Sequence, residues 1–541
     1  MASGSATSIK PREQWTGSFG FIMAAIGSAV GLGNIWRFPG VAYASGSGAF
    51  LIPYLIALIT AGIPILFLDY AIGHRFRGGP PQALRRLKKW AEPLGWFQTG
   101  LLFVISIYYA AVIAWAMSYF VFSFDLRWGE DTADFFLNNY LQVGETTISA
   151  TPVWGVMIPL VLVWAATGVS LVLGVAKGLE KINVIFIPLL VVAFTALVIR
   201  ALFLPGAVEG VNAFFTPDWV ALRDPNVWIA AYAHIFFSLS IAFGIMITYA
   251  SYQNRKANMT SSGLVVAFAN SSFEILAGIG VFATLGFMAF QQQSTVSELE
   301  GLTGPILSFV TFPKVISQMP GGSFFGMLFF ASLIIAGFTS LLSIVQGLSA
   351  SIQEKFNLSR GSVGIGLTIV CGLLSVGLFG TASGLFALDT VDQWANNIGI
   401  VFSAIIMSTL VIWVMRKGKE MRIHLNTIST FKIGPWWTAL VGLLGPVVLG
   451  YMFVQRIISL ITEGYEGYPT WYLGVFGWGM IALLIVIAFV MTAIPWRSKD
   501  VDDFQPWPPI TEAMLTSRTT QGTPLADTPH QNPHQHREPN R

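Results

Sequence analysis

Three glycines and an asparagine fall within Gly27-Ser28-Ala29-Val30-Gly31-Leu32-Gly33-Asn34, in the middle of an otherwise apolar block. Each glycine weakens a helix by about 1 kcal/mol, so a helix built on this block is expected to unwind here. Ser238-Leu239-Ser240-Ile241-Ala242-Phe243-Gly244 repeats the theme later in the chain. Half-helix amides that point at one place attract an anion, while the carbonyls freed by unwinding suit a hard cation. A carboxylate and an alkali ion can then share one pocket, with further oxygens from Asn270, Thr339 and Ser340. The rival reading of the glycines is small-residue helix packing, as at Gly27 and Gly31. It is disfavoured because Asn34, Arg37 and Pro39 follow within a few residues, and charge in or near a membrane span marks a water-filled path. Asn270, Thr339 and Ser340, each taken alone, would more often be back-bonded or helix-contact groups.

The elements that must position these groups are membrane helices. The 541 residues are 54% apolar and 11% charged, against about 25% charged in soluble domains. Uncharged blocks such as Leu101 to Phe122 and Trp478 to Ala493 approach or reach the roughly 20 residues that a bilayer demands. Apolar runs and polar breaks predict twelve spans near 19–43, 50–76, 95–124, 152–172, 179–203, 226–253, 260–290, 324–354, 361–380, 387–415, 436–462 and 471–496. The fold class expected is an all-α membrane protein, with the first and sixth spans interrupted at mid-membrane, as an inverted five-helix repeat would require. The divisions are 1–18 (N-terminal segment), 19–203 (first repeat), 226–415 (second repeat), 436–496 (helices eleven and twelve) and 499–541 (tail).

Arg75, Arg77, Arg85, Arg86, Lys88 and Lys89 follow span two, and Arg255 and Lys256 follow span six. Lys355 and Arg360 follow span eight, and Arg416, Lys417, Lys419 and Arg422 follow span ten. This bias predicts that these loops and both termini are cytoplasmic, in the cell (inner) membrane. The net charge of +3 therefore reports orientation and not a nucleic-acid surface. The single cysteine, Cys371, excludes an intramolecular disulfide and a multi-cysteine metal site. The apolar stretch Gly304 to Met319 is too short to span and reads as a re-entrant or surface helix pair. From Lys499 the composition predicts disorder, with His530, His534 and His536 read as solvated low complexity and not as a metal site.

Several segments resemble the neurotransmitter:sodium symporter family: Arg12 and Trp15, Gly31-Leu32-Gly33-Asn34-Ile35-Trp36-Arg37-Phe38-Pro39, Gly46 and Gly48, Trp228-Ile229-Ala230-Ala231, Phe236-Phe237-Ser238-Leu239-Ser240, Tyr249-Ala250-Ser251-Tyr252 and Ala336-Gly337-Phe338-Thr339-Ser340. The likeness covers about the first 400 residues, and the last two spans match mainly in hydropathy. It implies an inverted pair of five-helix units around a midplane site. It also implies two sodium ions and no organic cofactor. The first ion would take the Ala29 carbonyl, Asn34, Ser238, Asn270 and the solute carboxylate. The second would take carbonyls of Gly27, Val30 and Ala336 with hydroxyls of Thr339 and Ser340. Ser238 stands where the family's bacterial leucine-transporting member has threonine.

By the same resemblance, the solute carboxylate would meet the amides of Leu32 and Gly33 and the hydroxyl of Tyr109, and its amine the carbonyls of Ala29, Phe237 and Ser238. Ile105, Phe237, Ser240, Phe243 and Ile344 would surround its side chain, in a pocket tightened at Ile105 and Ala242. Monoamine carriers of the family have aspartate where Gly31 stands, which disfavours an amine without a carboxylate. Arg37 with Asp392 would gate the outer side, with His234 above a lid of Phe237 and Tyr109. Arg12 with Glu354, beside Trp15, Ser251 and Tyr252, would gate the inner side. Glu274 falls where chloride-dependent relatives carry serine, so it is expected to substitute for chloride or to carry a proton on the return step; a glutamate simply paired with a neighbour is the competing reading.

The function expected is a sodium-coupled secondary active transporter that imports a small neutral amino acid by alternating access, without chloride. The alternatives are a related zwitterion of the taurine, GABA or betaine type, or a protein that senses its solute without moving it. A channel is disfavoured because no short filter segment repeats. A membrane enzyme is disfavoured because no mid-depth cluster has metal-ligand spacing. Expected partners are the solute and membrane lipid, with no nucleic acid; the resemblance also allows a homodimer.

Overall fold

Apolar runs in lipid can satisfy their backbone groups only inside helices or closed barrels. The computed structural model describes residues 13–144, 147–299, 304–498, 501–511 and 514–515, and among these the chain is helical apart from isolated bridges at Ser47–Pro217 and Pro152–Thr381. The helices that matter here are α1 (Ser18–Ala29), α2 (Gly33–Ala44), α3 (Gly48–Phe76), α4 (Pro80–Leu87), α5 (Lys89–Phe122), α6 (Trp154–Leu173) and α7 (Val175–Leu202). They continue with α8 (Ala207–Phe215), α9 (Pro225–Ser238), α10 (Ile245–Ser251), α11 (Met259–Gln292), α12 (304–318) and α13 (Gly322–Phe356). The last are α14 (Arg360–Phe379), α15 (Gly384–Val414), α16 (Gly418–Ile428), α17 (Pro435–Thr462) and α18 (Thr470–Ala493). Ten described helices are long and apolar enough to cross a membrane, or eleven if α1 and α2, which meet at 52°, are one span.

Two kinds of helix are distinguished by what they cover. In α5, α11 and α13 most of the apolar window is buried, and α13 runs along α5 at the centre. By contrast α6, α7, α14, α17 and α18 expose Leu162, Val192, Leu373, Val454 and Phe489, apolar surface suited to lipid. The central helices carry the buried polar groups, as expected where most of a helix's surface faces protein.

The stretch 304–318 is one helical run, where a re-entrant or surface helix pair was expected. Phe309 pins it, stacked on Phe136 with ring centres 5.3 Å apart and edge-on to Trp36, Trp115 and Tyr119. On the opposite face Glu92 is fully buried and accepts hydrogen bonds from Arg85, Lys355, Trp96 and Trp496. Residues 501–511, within the stretch for which composition predicts disorder, lie along this face. Asp502 accepts from Arg85 at 2.9 and 3.0 Å and pairs with Lys89, Arg86 lies over Phe504, and Arg75 donates to the Pro508 carbonyl at 3.0 Å. Buried Val501 anchors the segment. Residues 1–12 and 516–541, with Arg12 and the histidines at 530, 534 and 536, lie outside the described residues.

Candidate functional site

α1 ends at Ala29, where Val30 turns to an extended conformation (φ −76°, ψ 91°), and α2 begins at Gly33. α9 ends at Ser238 and α10 begins at Ile245; between them Ser240, Ala242 and Gly244 all have positive φ. The regular helical ladder is therefore interrupted in both stretches, although Val30 and Leu239 still donate to the Ile26 and Ile235 carbonyls. The two stretches touch: Ser240 Oγ donates to the Ser28 carbonyl at 3.0 Å.

Around the first break the side chains form one buried hydrogen-bonded chain. Asn34 Oδ1 accepts from the Gly31 amide at 2.9 Å, and Asn34 Nδ2 donates to Asn270 Oδ1 at 2.8 Å. Asn270 Nδ2 donates to Ser238 Oγ at 2.6 Å, and that hydroxyl donates to Glu274 Oε1 at 2.6 Å. Glu274, with no exposed surface, also lies 2.6 Å from His234 Nε2 and accepts from the Tyr54 hydroxyl. Donors in this number offset the cost of burying a carboxylate. His234, expected above the lid, bonds Glu274 and lies edge-on to Phe50. Tyr54 carries no sequence signal, because a tyrosine in an apolar span is ordinarily core.

Gly31 sits where Tyr109 and Ser340 converge: a β-carbon there would lie 2.7 Å from both hydroxyl oxygens. The Leu32 amide donates to the Tyr109 hydroxyl at 3.1 Å. Gly33 faces the Phe237 ring, which would come within 2.3 Å of an added β-carbon. Ile105, Phe243 and Ile344 are buried on α5, the 239–244 stretch and α13. Beside this, Ser340 Oγ donates toward the Gly27 and Ser28 carbonyls at 3.1 and 3.2 Å. Thr339 Oγ1 donates to the carbonyls of Ile335 and Ala336 at 3.0 and 3.1 Å. The Ala29 and Val30 carbonyls belong to the same break. Both groups present neutral oxygens, and the first has the Glu274 carboxylate beside it, a donor set that suits a hard cation.

Arg37 lies at one end of the site. Its guanidinium lies 4.4 Å from the Phe237 ring centre, 3.8 Å from Asp392 Oδ2 and 3.5 Å from Asn397 Oδ1. Beyond α10, Trp15 is buried, donates to the Tyr249 carbonyl at 2.9 Å and packs edge-on against Tyr252. Tyr252 in turn accepts from Gln346. Glu354 accepts from the Gly79 amide at 2.8 Å; its expected partner Arg12 is outside the described residues.

Residue patterns across 12–133 and 127–499 match the sodium:neurotransmitter symporter family. An uncharacterized sodium-dependent transporter of Methanocaldococcus jannaschii is 39% identical over 91% of this chain and 98% of its own length. A sodium- and chloride-dependent taurine transporter of Rattus norvegicus is 27% identical, over 90% of this chain and 86% of its own. A sodium-dependent neutral amino acid transporter of Mus musculus is likewise 27% identical, over 85% and 86%.

Proposed function

The chain belongs to the sodium:neurotransmitter symporter family, a family of sodium-coupled membrane transporters and not of enzymes, and on that premise we propose that it imports a small neutral amino acid with sodium and without chloride. The observation that carries this reading is the buried chain Asn34–Asn270–Ser238–Glu274 at the helix break. One sodium would replace the hydrogen bonds among Asn34, Asn270 and Ser238, joined by the Ala29 carbonyl and the solute carboxylate, so that ion and solute bind together. A second would sit between Gly27, Val30, Ala336, Thr339 and Ser340. Glu274, one hydrogen bond from Ser238, brings a fixed negative charge to the first site, which removes the need for a mobile anion.

The crowding at Gly31 supports a solute whose carboxylate meets the Leu32 and Gly33 amides and the Tyr109 hydroxyl: an aspartate at 31 would need the space that Ser340 and Tyr109 occupy. Ile105, Phe237, Ser240, Phe243 and Ile344 would enclose an alanine-sized or glycine-sized side chain. Arg37–Asp392 over Phe237, and Trp15 with Tyr252, Glu354 and Arg12, would be the barriers that alternate. The fold proposed with this mechanism has twelve spans, α1 with α2 as the first and α9 with α10 as the sixth, in two inverted repeats in the cell membrane with cytoplasmic termini. Sodium entry supplies about 2.3 kcal/mol per charge per 100 mV in addition to its concentration gradient.

A thermal-shift screen of amino acids with and without sodium tests the reading, because a ligand bound to the native state raises its melting temperature by mass action. Joint stabilisation by sodium and one small neutral amino acid, unchanged when chloride is replaced by gluconate, is expected. Stabilisation only by taurine, GABA or betaine would move the assignment to the related zwitterions, and equal shifts in potassium would reject sodium coupling.

A further inference from the structure

A second buried carboxylate lies outside the chain just described. Asp69 interrupts the apolar run of α3, has no exposed surface, and accepts from the Ala242 amide through Oδ2 at 2.9 Å. Its Oδ1 has no hydrogen-bond partner among the described residues. The carbonyl of the same Ala242 is held from the other side. Gln98 Nε2 on α5 donates to it at 3.1 Å and Ser403 Oγ on α15 at 2.6 Å, and Gln98 also donates to Ser403 at 3.0 Å. Ala242, Gln98 and Ser403 are fully buried as well.

Ala242 has φ +65°, a left-handed conformation that costs an L-residue with a β-carbon roughly 1–2 kcal/mol. It persists only where the surroundings over-determine it. Here three helices hold one alanine, the amide from α3 and the carbonyl from α5 and α15. Its neighbours are the residues that matter: Phe243 follows it, and Ser240, two residues earlier, bonds the Ser28 carbonyl at the end of α1.

We propose that Asp69 is a positioning residue for the solute pocket: with Gln98 and Ser403 it fixes the Ala242 peptide in its left-handed turn and thereby sets where Ser240 and Phe243 stand. The inference rests on the proposed pocket and adds a determinant of its affinity and size. A buried carboxylate in a span is retained for a reason, and here the atom it holds is the backbone of the break itself. Without the acceptor, the Ala242 amide is left buried and unpaired, and the turn relaxes toward negative φ.

The test is solute binding, read by thermal shift in sodium, for wild type, Asp69→Ala, Asp69→Asn and Asp69→Ala with Ala242→Gly. Asp69→Ala is expected to weaken solute affinity about ten-fold, the size of one lost hydrogen bond to a charged group. Its stabilisation by sodium alone is expected to change less than two-fold. Asp69→Asn keeps an acceptor and should stay within about three-fold of wild type. Ala242→Gly should recover most of the loss, because glycine takes positive φ without cost. Should Asp69→Ala not fold, the Gln98→Ala and Ser403→Ala variants release the carbonyl side and should weaken the solute in the same sense. Wild-type affinity in Asp69→Ala, or in both carbonyl-side variants, overturns the proposal. So does Asp69→Asn as weak as Asp69→Ala with no recovery from glycine, which would mean that charge and not position matters. A wild type that no amino acid stabilises would instead defeat the proposed pocket.

Discussion

At the scale of single residues, Asn34 does most to connect the backbone break to the side-chain chain, since it accepts from Gly31 and donates to Asn270. Asn34→Ala removes an oxygen proposed to hold sodium and leaves Asn270 Oδ1 without its donor. Sodium-dependent stabilisation should fall at least ten-fold in apparent affinity, measured by sodium titration, in line with 1.5–3 kcal/mol as roughly the worth of a bond to a charge. Glu274→Ser deletes the fixed charge, and uptake by this variant should become dependent on chloride, whereas wild-type uptake in gluconate should match that in chloride. A variant as active in gluconate as the wild type would remove the chloride-substituting role. Glu274 was legible as a carboxylate in a span one turn from Asn270. Its actual partners were not. His234 and Tyr54 reach it across other helices, and no spacing in the sequence records which face of α9 or α3 turns toward α11. Asp69 was in plain view as the lone acid between Ile63 and Ile72, yet its role depends on the backbone of a distant break.

At the scale of elements, glycine content located the end of α1 because helix propensity is local: three glycines within seven residues leave little to hold the turn. The second interruption was harder to bound, since Ser240 and Ala242 take positive φ only under tertiary restraint. The run 304–318 was misjudged as a pair because composition does not record Phe309 locked among Trp36, Trp115 and Phe136. Gly31 offers a test of the break as an element. Gly31→Ala should lose solute binding by ten- to a hundred-fold while the protein still folds, because overpacking of about 1–3 kcal/mol falls on Tyr109 and Ser340 and not on the helix packing. Isothermal titration of the solute in saturating sodium checks it. Wild-type affinity would mean that these hydroxyls do not line the site.

At the scale of the whole molecule, the central helices hold polar groups, the outer ones face lipid, and the segment 501–511 lies across the face that carries Arg75, Arg85, Arg86 and Lys89. Arg85, helped by Lys89, holds the Asp502 carboxyl down to about 2. A depressed acid stabilises its contact above its ordinary value of 3.8 and loses that contribution as pH falls toward about 2. Protection of 501–511 from proteolysis should therefore be constant from neutral pH to about 4 and fade below it. Asp502→Ala should raise hydrogen exchange in this segment at pH 7; unchanged exchange would show that Val501 and Phe504 suffice. The most direct test of coupled transport is accumulation of a labelled small neutral amino acid, the one that stabilises the protein, by proteoliposomes under an imposed inward sodium gradient. The account predicts concentrative uptake that collapses when sodium outside is replaced by potassium and is abolished by Asn34→Ala. Equal uptake in both media, or none for any solute that binds, would contradict it.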